Sequence, residues 1–362
     1  MSAEVISDSL PSVAPDANSS APTDNGAVAP SARAVEARNR NIDVIRFFAA
    51  AGIVFIHASR SAALNDWRNI ARFAVPFYLF ASFYYQSQSL RRKSDRTLGQ
   101  YILGRFRRLY LPFLAWSLIY FIARNAKHFL LHGANEAVIP DVGMLWKGDQ
   151  YHLWFLPYLL FWSIVLAVVH WTFLRQNRAW RWPLIAVAIA AGFAFALAPM
   201  PAWDENFPSE TYAYIQFWRA LPATFWGLAF AWFMTMAPVL YSVPPLLGMA
   251  GIGLAIVTSL MQVSRGSILL IPRGLSGLGC MLAALVPWRS SATDVLADLG
   301  KYSYGVYLCH VLVVEGVRLV TNKLHLGATA PVDLMTFFVG FASSLVVVLL
   351  LARSPKTAWL NG

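Results

Sequence analysis

Charge is what this sequence has least of. Asp, Glu, Lys and Arg make up 13% of its 362 residues, against roughly 25% in a soluble domain, too few to build a water-facing surface. Hydrophobic residues account for 57%, so the shortage of charge excludes a soluble globular protein and predicts an all-α integral membrane protein. Cysteine is nearly absent too. Cys280 and Cys309 both fall inside apolar stretches, which leaves no disulfide framework and no CxxC metal site. Residues 1–40 are rich in Ala, Ser, Pro and Asp and contain no apolar run, so they read as a disordered cytoplasmic tail and not as a signal peptide. No internal repeat and no DxD pair occurs, and the only acidic cluster outside the tail is Asp204, Glu205 and Glu210.

What is present is a series of apolar runs. Ten are near the roughly 20 residues that cross the hydrocarbon: 42–62, 70–90, 103–124, 151–174, 182–199, 213–235, 238–260, 266–287, 301–321 and 332–352. The formal net charge of +11 would suggest nucleic acid in a soluble protein; here the concentration of Lys and Arg in cytoplasmic loops explains it. Arg91, Arg92, Lys93 and Arg96 form the densest loop cluster. Placing such loops inside predicts cytoplasmic N and C termini, an inner (cytoplasmic) membrane location, one multispanning domain over 41–355 and a short cytoplasmic tail at 356–362.

Charged side chains inside spans are costly and ordinarily face a cavity or a partner. The first span reads NIDVIRFFAAAGIVFIHASR, residues 41 to 60. Eleven steps of 100° carry Arg46 to His57 about 20° beyond three full turns, with a rise of about 16 Å, so both share one face near opposite membrane surfaces. Asp43 lies on the same face, three residues before Arg46, in ion-pair range. The alternative is that Arg46 snorkels to headgroups and His57 sits at the outer interface.

Three more clusters carry polar chemistry. LGKYSYGVYLCHVLVVEG, residues 299–316, puts Ser303, Tyr307 and His310 on one helix face, with His310 about 14 Å in from the cytoplasmic end. Its bland reading is a buried histidine satisfied by Tyr307 and Ser303. Glu315 is a further buried acid, and Cys309 points about 100° away from His310, which disfavours a thiol dyad. YILGRFRRLYLPF, residues 101–113, puts Arg105 and Arg108 on one helix face, suited to phosphate or to simple positive-inside anchoring. YHLWFLPYLLFW, residues 151–162, places His152 level with His57, and Trp154 reads as an interfacial belt residue.

The run DVIRFFAAAGIVFIHA, with its Arg and, after ten residues, a His, resembles the opening helix of the membrane acyltransferase 3 family. PFYLFASFYY, RFRRLYLPF, HLWFL and LGKYSYGVYLCH follow in that family's order, over about residues 40 to 355. The second helix departs from the family pattern: LFASFYYQS stands where many members have a Gly-containing FFxxSGFL, which bears on Ser82. The resemblance implies transfer of an acyl group, commonly acetyl, from cytoplasmic acyl-CoA to a hydroxyl of an extracytoplasmic polysaccharide or glycoconjugate. It implies catalytic roles for Arg46 and His57, donor binding by Arg46, Arg105 and Arg108, and lesser roles for Ser303, Tyr304 and Gly305. Asp43, His152 and His310 are supporting candidates, and no metal is expected.

On that reading His57 is a general base at the outer mouth of a polar channel, an unperturbed imidazole pKa near 6.5 being suited to the task. The three arginines hold the coenzyme A phosphates at the inner mouth, and the thioester arm reaches up between. The rival is a transporter or flippase of polysaccharide or a small molecule, for which the same polar face is a substrate path. A glycosyltransferase needs acidic metal ligands that the loops do not supply.

Overall fold

In the computed structural model the described residues are 39–92, 96–132, 139–199, 212–236, 245–265, 269–286 and 290–362. The expected tail up to residue 38 and the Asp204, Glu205 and Glu210 cluster lie outside them. Among the described residues there is no β-strand. The helices are α1 Arg40–Ala58, α2 Asn65–Ala71, α3 Ala74–Arg92, α4 Leu98–Arg105, α5 Leu111–His132, α6 Met144–Lys147, α7 Phe155–Val169, α8 Arg181–Leu197, α9 Tyr212–Met236, α10 Pro245–Arg265, α11 Leu270–Leu285, α12 Ser291–Gly300, α13 Ser303–Lys323, α14 Ala330–Ala352 and α15 Pro355–Ala358.

Each of the ten apolar runs overlaps a helix in its described part, and among the described residues six helical segments are long and apolar enough to cross a membrane: Arg40–Ala58, Phe155–Leu174, Arg178–Leu197, Pro245–Ser264, Ser303–Lys323 and Ala330–Ala352. The outer helices show why the medium is lipid. Leu246, Met249 and Ile256 on α10, Val187 on α8, and Phe338, Val346 and Leu350 on α14 are exposed, a set of apolar faces that water would not tolerate. α3 falls short of span hydropathy for the opposite reason. It is an interior helix, with Phe77, Leu79, Phe80 and Phe83 fully buried, and its polar residues meet protein instead of lipid. Gln86 donates to Ser163 Oγ at 2.9 Å and accepts from Tyr101 Oη at 3.2 Å, so its amide is satisfied inside the bundle.

α1 sits at the centre of the arrangement that matters for function. Asn39 caps its start, the side chain accepting from Asn41 N–H. The chain turns out of it at Ser59, where the buried Asp333 carboxylate accepts the backbone N–H groups of Arg60 and Ser61 at 2.8 and 2.6 Å. α12, opened by a Ser290/Thr293 capping box, ends on Gly300, whose backbone lies against α1. A Cβ there would stand 1.9 Å from the Asp43 carbonyl oxygen, a backbone atom with nowhere to move. Gly300→Ala is therefore expected to cost about 1–3 kcal/mol, the ordinary penalty of overpacking, seen as a lower melting temperature of the protein in detergent.

The last residues, expected as a tail, are packed. Leu360 O accepts from Trp116 Nε1 at 3.0 Å, and Asn361 Nδ2 donates to Val348 O at 3.1 Å.

Candidate functional site

His57 is the penultimate residue of α1. Helical Cα–Cβ bonds tilt toward the N-terminus, so its ring leans back into the bundle and not out toward the interface. Two other histidines meet it there. His310 from α13 has its ring centroid 5.1 Å from that of His57, His152 from the turn before α7 lies 6.3 Å from His57, and His152 and His310 are 4.9 Å apart. His152 and His310 are buried. Three segments remote in sequence thus build one imidazole cluster.

The hydrogen bonds assign roles within it. His310 Nδ1 is 2.7 Å from the Tyr307 carbonyl; since a carbonyl only accepts, Nδ1 carries the proton and Nε2 is left as a lone pair. The bond is to the backbone of Tyr307, not to its phenol as the shared helix face suggests. The phenol instead donates to the His152 carbonyl, tying α13 to the turn before α7. His57 Nδ1 is 3.1 Å from Tyr151 Oη, which fixes the ring and leaves Nε2 for other partners. The His57 carbonyl is held from behind: the Arg318 guanidinium donates to it and to Ala58 O, while also donating to Glu315 Oε1 at 2.8 Å. Glu315 is partly exposed, not buried, with Arg60 Nη2 and Lys127 Nζ each 3.9 Å away.

His57 and His152 open onto a cavity of about 440 Å³ that is also lined by Tyr151, Trp154, Phe155, Gln216 and several arginines, a size typical of small-ligand sites. Trp154, expected in the interfacial belt, is buried and packs edge-on to Phe155, Tyr158 and Phe217. It is a wall of this cavity.

At the other end of α1 lie most of the remaining candidates. Arg46 pairs with the buried Asp43 at 3.3 Å, and its carbonyl accepts from Tyr78 Oη at 3.0 Å. The buried Ser303 lies beside Tyr78. Tyr304 Oη donates to Leu109 O at 3.4 Å, and Arg108 lies within electrostatic range of that phenol. Arg105 donates to Tyr101 Oη at 3.2 Å with its guanidinium over the same ring. Arg105 closes α4, but Arg108 falls in a π-helical segment, Phe106–Tyr110. Its wider turn changes the angle between Arg105 and Arg108 from the one that α-helical spacing gives. Such segments recur at functional sites.

Arg46, Arg105 and Arg108 do not line the cavity. Between the two ends the interior is filled: Tyr78, Phe155 and Tyr307 are buried and in ring contact, at 6.5 Å for the first pair and 5.9 Å for the second. Phe155 and Tyr307 are at the same time walls of the cavity, so this aromatic group stands between the cavity and the Arg46 end of α1. Cys309 is buried with Sγ 3.7 Å from Ser344 O on α14, turned away from the histidines. Among the described residues no group of three or more His, Cys, Asp or Glu is placed to hold a metal ion.

Tyr151, Arg318, Arg219 and Arg273 were not singled out by sequence reasoning as site residues. The three arginines carry a signal, since each lies inside an apolar run and falls under the same rule that marks Arg46.

The fold and the site define a helical membrane protein built around a histidine-lined cavity, with arginines at the opposite end of the helix that carries His57. The chain belongs to the acyltransferase domain family, the acyltransferase 3 family, which it matches over residues 39–353, and it is accordingly a membrane acyltransferase. No curated protein and no solved structure shows a significant match to the chain.

Proposed function

We propose that the protein transfers an acyl group, acetyl foremost, from acyl-CoA to a hydroxyl of an extracytoplasmic polysaccharide or glycoconjugate across the inner membrane. The observation that carries this is the placement of His57 on the wall of a ligand-sized cavity, backed by His310 and His152, one helix length from Arg46. In this reading all ten helical runs span or enter the bilayer, and both termini are cytoplasmic. The start of α1 and Gly362, which lies against Tyr304, sit at the same end of the bundle, in keeping with an even number of crossings.

In the reaction His57 Nε2 takes the proton of the acceptor hydroxyl as its oxygen attacks the thioester carbonyl. The tetrahedral adduct collapses with loss of the coenzyme A thiolate, which receives the proton from the imidazolium. Tyr151 holds the ring through Nδ1. The arginines at the other end bind the donor's phosphates, guanidinium forks being matched to phosphate oxygens. In this reading the acyl arm reaches His57 past the rings of Tyr78, Phe155 and Tyr307.

The test is direct: purified protein in nanodiscs, given labelled acetyl-CoA and an acceptor glycan, forms an alkali-labile acetyl ester. Glycan crossing the bilayer with no ester formed would support the transporter instead. Arg108→Gln is expected to raise KM for acetyl-CoA by about tenfold, the equivalent of one charge-assisted contact, with kcat little changed; a normal KM would remove Arg108 from the donor site.

A further inference from the structure

The cavity beside His57 has a charge pattern that general-base chemistry does not require. Arg68 on α2, Arg72 in the turn before α3, Arg219 on α9, Arg273 on α11 and Arg318 on α13 all line it, and among the described residues no Asp or Glu does. Glu315 neutralises Arg318. The other four have no carboxylate within ion-pair distance among the described residues. Arg68 donates to a neutral amide, Asn65 Oδ1, at 3.0 Å. Arg72, Arg219 and Arg273 lie within electrostatic range of one another. Arg273 is the most telling: it is 7% exposed, faces the cavity, and its Nε has no hydrogen-bond partner, as is also true of Nε in Arg219 and Arg68.

A buried cation without a counterion is a standing cost in a folded protein, and several facing one cavity repel each other. The charge that offsets this has to come with the occupant. Guanidinium forks select flat carboxylates and phosphate-type oxyanions, and a positive cleft with apolar walls concentrates anions. The neutral part of the lining suits a sugar: Ser59 and Gln216 for hydroxyls, Trp154 and Phe155 as faces for a ring.

We infer that the acceptor held against His57 is an anionic glycan, a sugar bearing a carboxylate or a phosphate, and that Arg72, Arg219 and Arg273 bind its charge. This rests on the acceptor side of the reading above. The donor's phosphates have their own cations, separated from this cavity by the layer of Tyr78, Phe155 and Tyr307.

The experiment uses the full chain in nanodiscs of neutral phosphatidylcholine. Binding is measured by calorimetry for a glucuronate-containing oligosaccharide, its carboxyl-reduced counterpart and a phosphorylated oligosaccharide, on wild type, Arg273→Gln, Arg219→Gln and the conservative Arg273→Lys. The expected results are that the charged probes bind at least tenfold more tightly than the reduced one, that this preference shrinks with added salt, and that Arg273→Gln and Arg219→Gln lose it. Arg273→Lys keeps part of it. Arg273→Gln should also raise the melting temperature of the ligand-free protein, because it removes one of several like charges, and this a merely structural arginine would not do.

Equal binding of charged and reduced probes, or a lower melting temperature with the preference intact, overturns the inference. So does acetyl-CoA binding lost in Arg273→Gln but kept in Arg108→Gln, which would give the cavity to the donor, or displacement of the oligosaccharide in a second set of nanodiscs containing phosphatidylglycerol, which would give it to a lipid headgroup. Labelled transfer separates this inference from the reaction. Charge-selective binding with no transfer to any probe defeats the acyl-transfer reading and leaves the anion site standing. Equal transfer to charged and reduced probes does the reverse.

Discussion

Replacing His57 by Gln lowers the rate of acetyl transfer by about 10²–10⁴-fold, the span that positioned general bases contribute, while the protein inserts and melts as the wild type does. The second half of that expectation follows from where the residue sits. His57 lies one residue from the end of α1, its ring is on the wall of the cavity and not packed in the core, and the hydrogen bonds that hold this end of the helix go to its carbonyl, not to its side chain. Glutamine keeps much of the volume and can still meet Tyr151 Oη, but it has no basic lone pair. His310→Gln and His152→Gln should cost less, because those rings are buried behind His57, His310 outside the cavity lining and His152 within it, and the loss should combine non-additively with His57→Gln, as for groups acting as a unit. The measurement is single-turnover transfer of labelled acetyl in nanodiscs, with thermal melting alongside. Transfer by His57→Gln within threefold of wild type would show that the base is another group.

How far such a site could be seen in the sequence depended on whether its parts shared one helix. Arg46, Asp43 and His57 lie on one α1 face, and helix geometry alone put them there; the Asp43–Arg46 pair at 3.3 Å needs no tertiary information. The meeting of His57 with His310 and His152 does. His310, reckoned from the start of its own span, comes out near mid-membrane, because that arithmetic assumes all helices begin at one level. Gly300 seats the end of α12 against Asp43 in the first turn of α1, so α13 starts inside the bundle and not level with the start of α1, which brings His310 up to His57. Nothing local in LGKYSYGVYLCH gives that offset.

Two further features were hidden for different reasons. The spacing of Arg105 and Arg108 fits one face of an α-helix, and that periodicity carries no sign of the π-helical segment in which Arg108 lies. Trp154 has the composition of an interfacial anchor, and only the neighbouring Phe217 from α9 makes it a cavity wall. Hydropathy likewise misjudges α3, whose buried Gln86 is satisfied by Ser163 and Tyr101 from two other segments. Apolarity reports the surroundings of a helix only when the surroundings are lipid.

Arg318→Gln should separate holding His57 in place from holding the protein together. An α-helix leaves its last four carbonyls without intrahelical partners, and here a cation from another helix supplies donors to two of them, His57 O and Ala58 O, at the end of the helix where positive charge is favoured. Its other donor goes to Glu315 at 2.8 Å, which fixes the guanidinium plane, and the side chain is 12% exposed. Removing it forfeits charge-assisted hydrogen bonds worth about 1.5–3 kcal/mol each, so the melting temperature falls. The last turn of α1 is then free to fray, and His57 is in that turn. Because the displaced group is the base, the loss should appear in kcat by about 10²-fold, an ångström of misplacement being enough for that, with KM for acetyl-CoA unchanged, since the donor arginines lie at the far end. Arg318→Lys can still reach a carbonyl with its single ammonium and should recover stability more fully than rate, because it cannot span both carbonyls and Glu315 with one planar fork. A variant that lost stability but kept kcat would show that the end of α1 holds His57 in place without help from α13.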